Sequence, residues 1–337
     1  MRVLALVLSL VMALAGPAPA TPQRREKIFP STGVALTPAN FPNHSAKDVE
    51  DMFRIGKDAG DVAVFIYQWS QADLLGTAQS MLKLSRENGY TPILAISPTK
   101  LEGLRGEFDL PESVRRRVGR KVSFADKAVY EPYIYDVLEL AKLHPPYLCL
   151  ATEINLLAFS SIQQYVTFAA VYKKLYPEIK KISPSTQVFV SFQWDFFQLM
   201  DSKEPNKIAE HSKLIDIFRP ELDLVAFTSY PADHFPNPAA IPENYYEQVY
   251  RHIKQNDPVM FMEIGWPSTG KGSEQSQVAF INRLPALMEK VKPKVLAWPL
   301  LHDVSGALGG DLGATGLLTT KGQAKPAFEA FKAIRDK

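Results

Sequence analysis

Two glutamates stand at the ends of short apolar runs that lie far apart in the sequence. Glu153 follows the run Tyr147–Ala151, and Glu263 follows the run Val259–Met262. Each run has the length of a buried strand, so each carboxylate falls where a strand would give way to a loop. Two carboxylates brought together can divide acid/base and nucleophilic work, which is the chemistry that cleaves a glycosidic bond.

The elements that must position these glutamates alternate along the chain. Continuous apolar runs predict strands at Gly33–Thr37, Val62–Tyr67, Pro92–Ser97, Tyr147–Ala151, Gln187–Phe192, Leu224–Thr228, Val259–Met262 and Val295–Trp298. Amphipathic stretches predict helices at Ala46–Asp58, Ser70–Asn88, Ala125–Leu143, Ser161–Leu175, Lys203–Phe218, Glu243–Gln255, Glu274–Lys292 and Lys325–Arg335. Strands that are apolar throughout and separated by helices are typical of parallel sheets covered on both faces.

This order predicts an α/β fold, a single-domain (β/α)8 TIM barrel whose strand C-termini converge on one face. An open doubly wound sheet is the rival, but no Gly-rich phosphate-binding fingerprint follows the first strand. The composition, 46% hydrophobic and 22% charged, is that of a globular protein. A net charge of only +2 gives no signature of nucleic-acid binding. The single cysteine, Cys149, excludes an intrachain disulfide and is expected to be buried.

The N-terminus has the pattern of a secretory signal peptide. Arg2 precedes the apolar run Val3–Ala15, and Ala18-Pro19-Ala20 provides a cleavage site, so residues 1–20 are expected to be removed. The apolar run is too short for a transmembrane helix, which needs about 20 residues. We therefore expect residues 21–337 to form a secreted or periplasmic barrel, monomeric and without a stable membrane anchor.

All four tryptophans, Trp69, Trp194, Trp266 and Trp298, fall at or just beyond predicted strand C-termini. Sugar rings have an apolar face that packs on an indole, so these residues predict a substrate-binding groove for a polysaccharide or oligosaccharide. The alternative is that they fill the barrel interior. Further substrate-binding candidates near the same face are Asn155, Tyr230 and His302, with Gln193, His234 and Asp303 as possible hydroxyl-binding partners.

The segment from Glu263 to Gly270, Glu-Ile-Gly-Trp-Pro-Ser-Thr-Gly, resembles the nucleophile segment of family 17 glycoside hydrolases. The wider pattern resembles glycoside hydrolase clan A, including the family 53 endo-galactanases. In that clan an acid/base glutamate ends strand four, a nucleophilic glutamate ends strand seven, a tyrosine follows strand six and a tryptophan ends strand eight. Glu153, Glu263, Tyr230 and Trp298 match those positions. The segment from Gly316 to Phe328 also resembles the closing segment of such enzymes.

The resemblance implies a retaining glycosidase, in which Glu153 is the acid/base and Glu263 the nucleophile. The two carboxyl groups would then stand about 5–5.5 Å apart. Tyr230 would donate a hydrogen bond that keeps one glutamate ionised. The glycan implied is β-linked, with β-1,3-glucan and β-1,4-galactan both consistent.

Thr152 departs from this pattern, because clan members have asparagine immediately before the acid/base, where it binds the sugar 2-hydroxyl. Either Asn155 takes over that contact or catalysis is weak or absent. A non-catalytic glycan-binding protein of the same fold therefore remains an alternative. A Schiff-base enzyme using Lys100, or a metal-dependent hydrolase, is a third class. No metal-binding spacing of histidines occurs, and no cofactor is expected.

The connection from Thr99 to Phe124 is unusually basic, with Lys100, Arg105, Arg115, Arg116, Arg117, Arg120 and Lys121. In a barrel this strand-to-helix loop lies on the active face. It could be a solvated loop, or it could contact an acidic sugar or a phosphate.

Overall fold

The computed structural model describes residues 27–101, 103–119, 122–305 and 310–335. Its strands are β1 Ser31–Ala35, β2 Val62–Gln68, β3 Thr91–Ser97, β4 Tyr147–Cys149, β5 Gln187–Phe189, β6 Ser191–Gln193, β7 Val225–Ser229, β8 Val259–Ile264 and β9 Val295–Trp298. The predicted signal peptide lies outside the described residues. Within the described ranges, no helix is both long enough and apolar enough to cross a bilayer.

The strands form one parallel sheet with the order β5-β4-β3-β2-β1-β9-β8-β7-β6. Only Val190 separates β5 from β6, so they are halves of one extended run and the two ends of the order meet. The sheet therefore curves into a nearly closed barrel, and the predicted α/β, single-domain TIM-barrel fold is confirmed. The fifth predicted strand, Gln187–Phe192, is present but divided at Val190.

Helices alternate with the strands and cover the barrel. They are α1 Ala46–Ala59, α2 Leu74–Glu87, α3 Glu112–Arg115, α4 Lys127–Ala141, α5 Asn155–Ser160, α6 Ile162–Ile182, α7 Trp194–Lys203, α8 Ile208–Asp216, α9 Glu274–Met288, α10 Gly310–Gly313 and α11 Pro326–Ile334. The start of α1 shows how local sequence sets a boundary. Ser45 accepts from the Asp48 backbone N–H, and the Asp48 side chain accepts from the Ser45 N–H, which is a capping box.

Two helix predictions were wrong. The predicted helix Lys203–Phe218 is interrupted: Lys203 is the last residue of α7, and α-helix resumes only at Ile208–Asp216. The separate helix α7 was not predicted. In place of the predicted helix Glu243–Gln255 the chain forms a short 3-10 helix at Glu247–Arg251. The reason is tertiary: the buried Tyr245 and Tyr246 direct their hydroxyl groups to Asp195 and Ser229, and these contacts override helical periodicity.

Two apolar layers surround the strands. The inner one fills the barrel with residues that alternate along the strands, among them Val64, Ala95, Cys149, Ala226 and Met260. The outer one lies between strands and helices and contains most of the large aromatic side chains. Cys149 is fully buried, as expected.

Candidate active site

Glu153 lies just beyond β4 with a φ of 51°, in the left-handed region. Residues other than glycine rarely adopt this conformation, which costs on the order of 1–3 kcal/mol and is found mainly at functional sites. Ser191 of the neighbouring β6 holds the turn, since its Oγ accepts from the Glu153 N–H at 3.0 Å and its carbonyl accepts from the Ile154 N–H. The turn directs the Glu153 carboxylate over the mouth of the barrel, where Thr228 Oγ1 donates to its Oε1 at 2.8 Å.

Glu263 reaches the same place through an irregularity in β8. Phe227 of β7 pairs with Phe261, but the next residue, Thr228, pairs with Glu263, so Met262 has no partner. Along β8, Met260 and Met262 belong to the inner layer and Phe261 to the outer one. Strict alternation would send Glu263 outward. The bulge turns it back to the side of Thr228, and bulges next to active sites commonly re-aim a side chain in this way.

Tyr230 fixes the Glu263 carboxylate. Its hydroxyl donates to Glu263 Oε2 at 2.5 Å. The pKa of Glu263 is raised to about 7, mainly by burial and secondly by the charge of Glu153. The hydrogen bond from Tyr230 and the charge of Arg105 act in the opposite direction. Glu153 is therefore close enough for its charge to influence the ionisation of Glu263.

A buried carboxylate positions Tyr230 in turn. Asp195 accepts hydrogen bonds from the Tyr230 backbone N–H at 2.6 Å, from Tyr245 at 2.6 Å and from Ser229 at 2.9 Å. Its burial raises its pKa, while these donors lower it. Sequence reasoning did not single out Asp195, because a carboxylate one residue past Trp194 carries no periodic signal.

Arg105 forms an ion pair with Glu153 that the sequence did not predict. Its Nη2 and Nε donate to Glu153 Oε2 at 2.6 and 3.2 Å, and its Nη1 lies 3.4 Å from Ser97 Oγ. Both side chains are largely covered, with exposed fractions of 6% for Arg105 and 14% for Glu153. All the donors around Glu153 match an ionised carboxylate, which only accepts. The acid/base role of Glu153 would require a proton on this carboxylate, next to the Arg105 charge.

A cavity of about 350 Å³ opens beside these groups. It is lined by Leu104, Glu153, Leu156, Gln193, Phe196, Tyr230, Ala232, Asp233, His234, Pro267, Asp311, Leu312 and Thr315. Its mixture of apolar walls and a few polar groups is typical of ligand sites. A larger concavity of about 720 Å³, between Asn244–Gln255 and residues 289–292, contains neither glutamate. We assign the site to the smaller one because Glu153 lines it together with Tyr230, which donates to Glu263.

The four tryptophans are not brought to this cavity. Each is at most 1% exposed, and they pack in the outer layer or close to it. Three of the indole N–H groups donate to protein acceptors: Trp69 to Asp136, Trp266 to Ser276 and Trp298 to the Thr315 carbonyl. Without an exposed ring face, none offers a platform for a sugar in this arrangement. The tryptophans therefore belong to the hydrophobic core, but to its outer layer rather than to the barrel interior that the alternative named. The aromatic side chains at the cavity are Phe196 and Tyr230.

Asn155 and His302 are likewise buried and away from the cavity lining. Both ends of the Asn155 amide group are bonded to Gln193, because Nδ2 donates to the Gln193 carbonyl and Oδ1 accepts from the Gln193 N–H. His302 Nδ1 lies 2.7 Å from the Thr37 carbonyl, and burial lowers its pKa. Gln193 and His234 do line the cavity, whereas Asp303 forms a buried pair with Lys325 at 2.7 Å.

Thr152 is 1% exposed, and its hydroxyl has no hydrogen-bond partner among the described residues. Since Asn155 is occupied by Gln193, it does not replace the asparagine that the resemblance places before Glu153. Lys100, the Schiff-base candidate, is paired with Glu107 at 2.6 Å on the surface. Across the described ranges, no group of three or more histidine, cysteine, aspartate or glutamate side chains could hold a metal ion.

The fold is shared with solved glycoside hydrolases of clan A. A family 39 glycoside hydrolase from Bacteroides cellulosilyticus WH2 is 15% identical, with a TM-score of 0.60 over 91% of this chain and 64% of that one. A GH5_18 protein from Streptomyces cattleya, in complex with Manβ1-4GlcNAc, is 17% identical, with a TM-score of 0.68 over 91% of this chain and 80% of that one. The GH53 catalytic domain from Ignisphaera aggregans is 16% identical, with a TM-score of 0.63 over 95% and 98%.

The chain therefore spans less than two thirds of the family 39 structure and nearly the whole of the GH53 domain. No protein-family model and no curated protein sequence matches it. At this level of identity the likeness establishes the (β/α)8 fold of clan A, as the sequence resemblance predicted.

Proposed function

We propose that this protein is a retaining glycoside hydrolase that cleaves O-glycosidic bonds of a β-linked polysaccharide. The observation that carries the proposal is that Glu153 lines one cavity together with Tyr230, whose hydroxyl donates to Glu263, and that the Glu153 charge acts on Glu263. Two carboxyl groups from different strand ends, placed in different environments, are what double displacement requires. The shared fold of families 5, 39 and 53 supports it.

Glu263 acts as the nucleophile in this proposal, since Tyr230 stabilises its ionised form. Its oxygen bonds to the anomeric carbon while the bond from that carbon to the leaving oxygen breaks. Glu153 gives its proton to the leaving oxygen and becomes a carboxylate. A water molecule then loses a proton to Glu153, and its oxygen displaces Glu263 from the sugar. Both groups return to their starting states, and the anomeric configuration is retained.

We extend the proposal to endo-action on an external β-glucan or β-galactan, because the motif around Glu263 resembles families 17 and 53. The GH5_18 structure holds Manβ1-4GlcNAc, so β-mannosides belong among the candidates. A secreted or periplasmic monomer, exported by the predicted signal peptide and without a membrane anchor or nucleic-acid partner, suits such a substrate.

A non-catalytic glycan-binding protein is the second candidate. Two observations favour it: Thr152 replaces the asparagine of the clan, and Arg105 pairs with Glu153. It predicts glycan affinity without turnover.

Reducing-end release from a panel of β-glucans, β-galactans and β-mannans separates the two candidates. The wild type is compared with Glu153→Ala and Glu263→Ala, and with Glu50→Ala as a control on exposed α1. Release that both site variants lose supports the hydrolase. Glycan binding without release by the wild type overturns it in favour of the binding protein.

A further inference from the structure

The strongest unexplained feature is the buried ion pair between Arg105 and Glu153, which lies at the centre of the proposed chemistry. A general acid must carry a proton when it meets the leaving oxygen. Once Glu153 is neutral, the Arg105 guanidinium loses the carboxylate that it binds directly, and the Glu263 charge acts on it without an ion-pair contact. A buried charge without a direct partner is unfavourable. Protonation of Glu153 is therefore favoured if Arg105 leaves or if another anion takes the place of Glu153 on its guanidinium.

The surrounding chain opposes departure of Arg105. It lies at the tip of a hairpin-like excursion, in which Thr99 bridges Phe108 and the Asp109 N–H donates to the Pro98 carbonyl. Leu104 and Arg105 are both in the left-handed region, with φ of 51° and 56°. Ser160 of α5 donates to the Leu104 carbonyl at 3.1 Å. Leu104 itself is 53% exposed and lines the cavity, whereas Arg105 is only 5% exposed.

Within the described part of the chain, Arg105 is the cation that pairs with Glu153, and the other charges around the cavity are accounted for. Asp233 and Asp311 also line the cavity. Lys271 offsets them, at 2.6 Å from Asp233 and 3.9 Å from Asp311. Glu263 is the remaining carboxyl group, and it is bonded to Tyr230. The Arg105 fork is already arranged to bind a carboxylate through Nε and Nη2, the geometry that suits a planar anion.

We propose that Arg105 determines substrate specificity, and that the glycan carries a carboxylate on one of the two sugar units flanking the bond to be cleaved. The inference rests on the proposed function and names its substrate class as a uronic acid-containing β-glycan. When the sugar carboxylate takes over the Arg105 fork, Glu153 is released and takes up a proton from solvent. Binding of the substrate and loading of the general acid are then one coupled event.

Proton uptake on ligand binding tests this role directly, because it would not depend on Arg105 if that residue only stabilised the fold. Calorimetric titration of the full chain with D-glucuronate and D-galacturonate, in buffers of different ionisation enthalpy, counts the protons taken up on binding. D-glucose and D-galactose are the neutral counterparts. Arg105→Gln and Arg105→Lys are the test variants, and Lys100→Gln, a neighbouring cation paired on the surface, is the matched control.

We expect each uronate to bind about tenfold or more tightly than its neutral counterpart, with close to one proton taken up, in the wild type and in Lys100→Gln. Arg105→Gln should lose both the preference and the proton uptake. Arg105→Lys should keep part of the preference, because the charge remains while the fork is lost.

Equal binding of uronates and neutral sugars, absence of uronate binding, or an unchanged preference in Arg105→Gln would each overturn the inference. The proposed function fails separately. Cleavage of neutral glycans without uronate preference leaves the hydrolase in place and removes the acidic substrate. Uronate binding with proton uptake but no cleavage of any glycan leaves the acidic site and removes the hydrolase.

Discussion

Thr228 and Glu263 face each other across β7 and β8 because Met262 is left unpaired between them. This single extra residue brings Glu263 to the side on which the Thr228 hydroxyl meets Glu153. Thr228 therefore adjoins both glutamates, because its hydroxyl donates to Glu153 and its backbone is in register with Glu263. A bulge in β8 is thus as important for the candidate active site as the carboxylates themselves.

Removing the Tyr230 hydroxyl should make Glu263 harder to ionise. In Tyr230→Phe we expect the pKa of Glu263 to rise above the value of about 7 in the wild type, because the lost hydrogen bond favours the ionised form. Titration of the glutamate carboxyl carbons by NMR measures it. Tyr135→Phe, on an exposed side chain, is the control. An unchanged or lower pKa would show that Tyr230 does not stabilise the Glu263 carboxylate.

The pH dependence of stability has a defined sign at Glu263. Its pKa is raised from 4.5 to about 7 on folding, so the folded state binds more protons between these values. The stabilising contribution is present in full below about pH 4.5 and is lost as the pH rises towards 7. The unfolding free energy of Glu263→Gln, relative to that of the wild type, should therefore increase by up to about 3 kcal/mol as the pH rises from 4 to 8.

Denaturant unfolding of both proteins across that pH range measures the difference, with Glu50→Gln on the exposed face of α1 to control for the loss of one carboxylate. A Glu263→Gln variant whose stability relative to the wild type is independent of pH would contradict the raised pKa.

Asn155 should act on stability rather than on sugar binding. Its amide group joins both backbone polar groups of Gln193 to the start of α5. Asn155→Ala leaves these buried groups unpaired, so we expect a loss of about 1–3 kcal/mol in unfolding free energy, with little change in KM of the folded fraction. Urea unfolding checks it against the exposed Asn244→Ala. Unchanged stability with a raised KM would restore the substrate-binding role expected from the sequence.

Phe196 is the aromatic side chain that we expect to contact the glycan. It lines the cavity and packs edge-on against the half-exposed Phe159 at a ring distance of 4.1 Å. Phe196→Ala should raise KM about tenfold, because an aromatic contact and its buried area are worth on the order of 1 kcal/mol or more. Initial rates against glycan concentration measure the effect, with Tyr135→Ala as control. An unaffected KM would place the sugar elsewhere.

The sequence predicted the barrel, and the position of both glutamates near strand ends, because buried parallel strands appear as continuous apolar runs. It also located the level of each side chain along the barrel axis, which is why Tyr230 was placed correctly beside a carboxylate. The sequence did not show whether a side chain points into the barrel or outward towards the helices. Trp69, Trp194, Trp266 and Trp298 stand at the correct level but turn into the surrounding layer.

Two further features of the site have no recognisable pattern in the sequence. Arg105 is 48 residues before Glu153, and a turn with two left-handed residues brings it there. The bulge at Met262 changes the face of Glu263 without changing the apolar character of β8. Both depend on the closed geometry of the barrel mouth rather than on local propensity.

In the proposed mechanism Glu263 forms a covalent bond to the sugar. A 2-deoxy-2-fluoro glycoside with a good leaving group, made from the sugar that the reducing-end panel identifies, should trap this intermediate because the fluorine slows its hydrolysis. Peptide mass spectrometry after proteolysis then locates the adduct. We predict one glycosyl group on the peptide that contains Glu263, absent in Glu263→Gln. An adduct on Glu153, or cleavage with inverted anomeric configuration and no adduct, would contradict it.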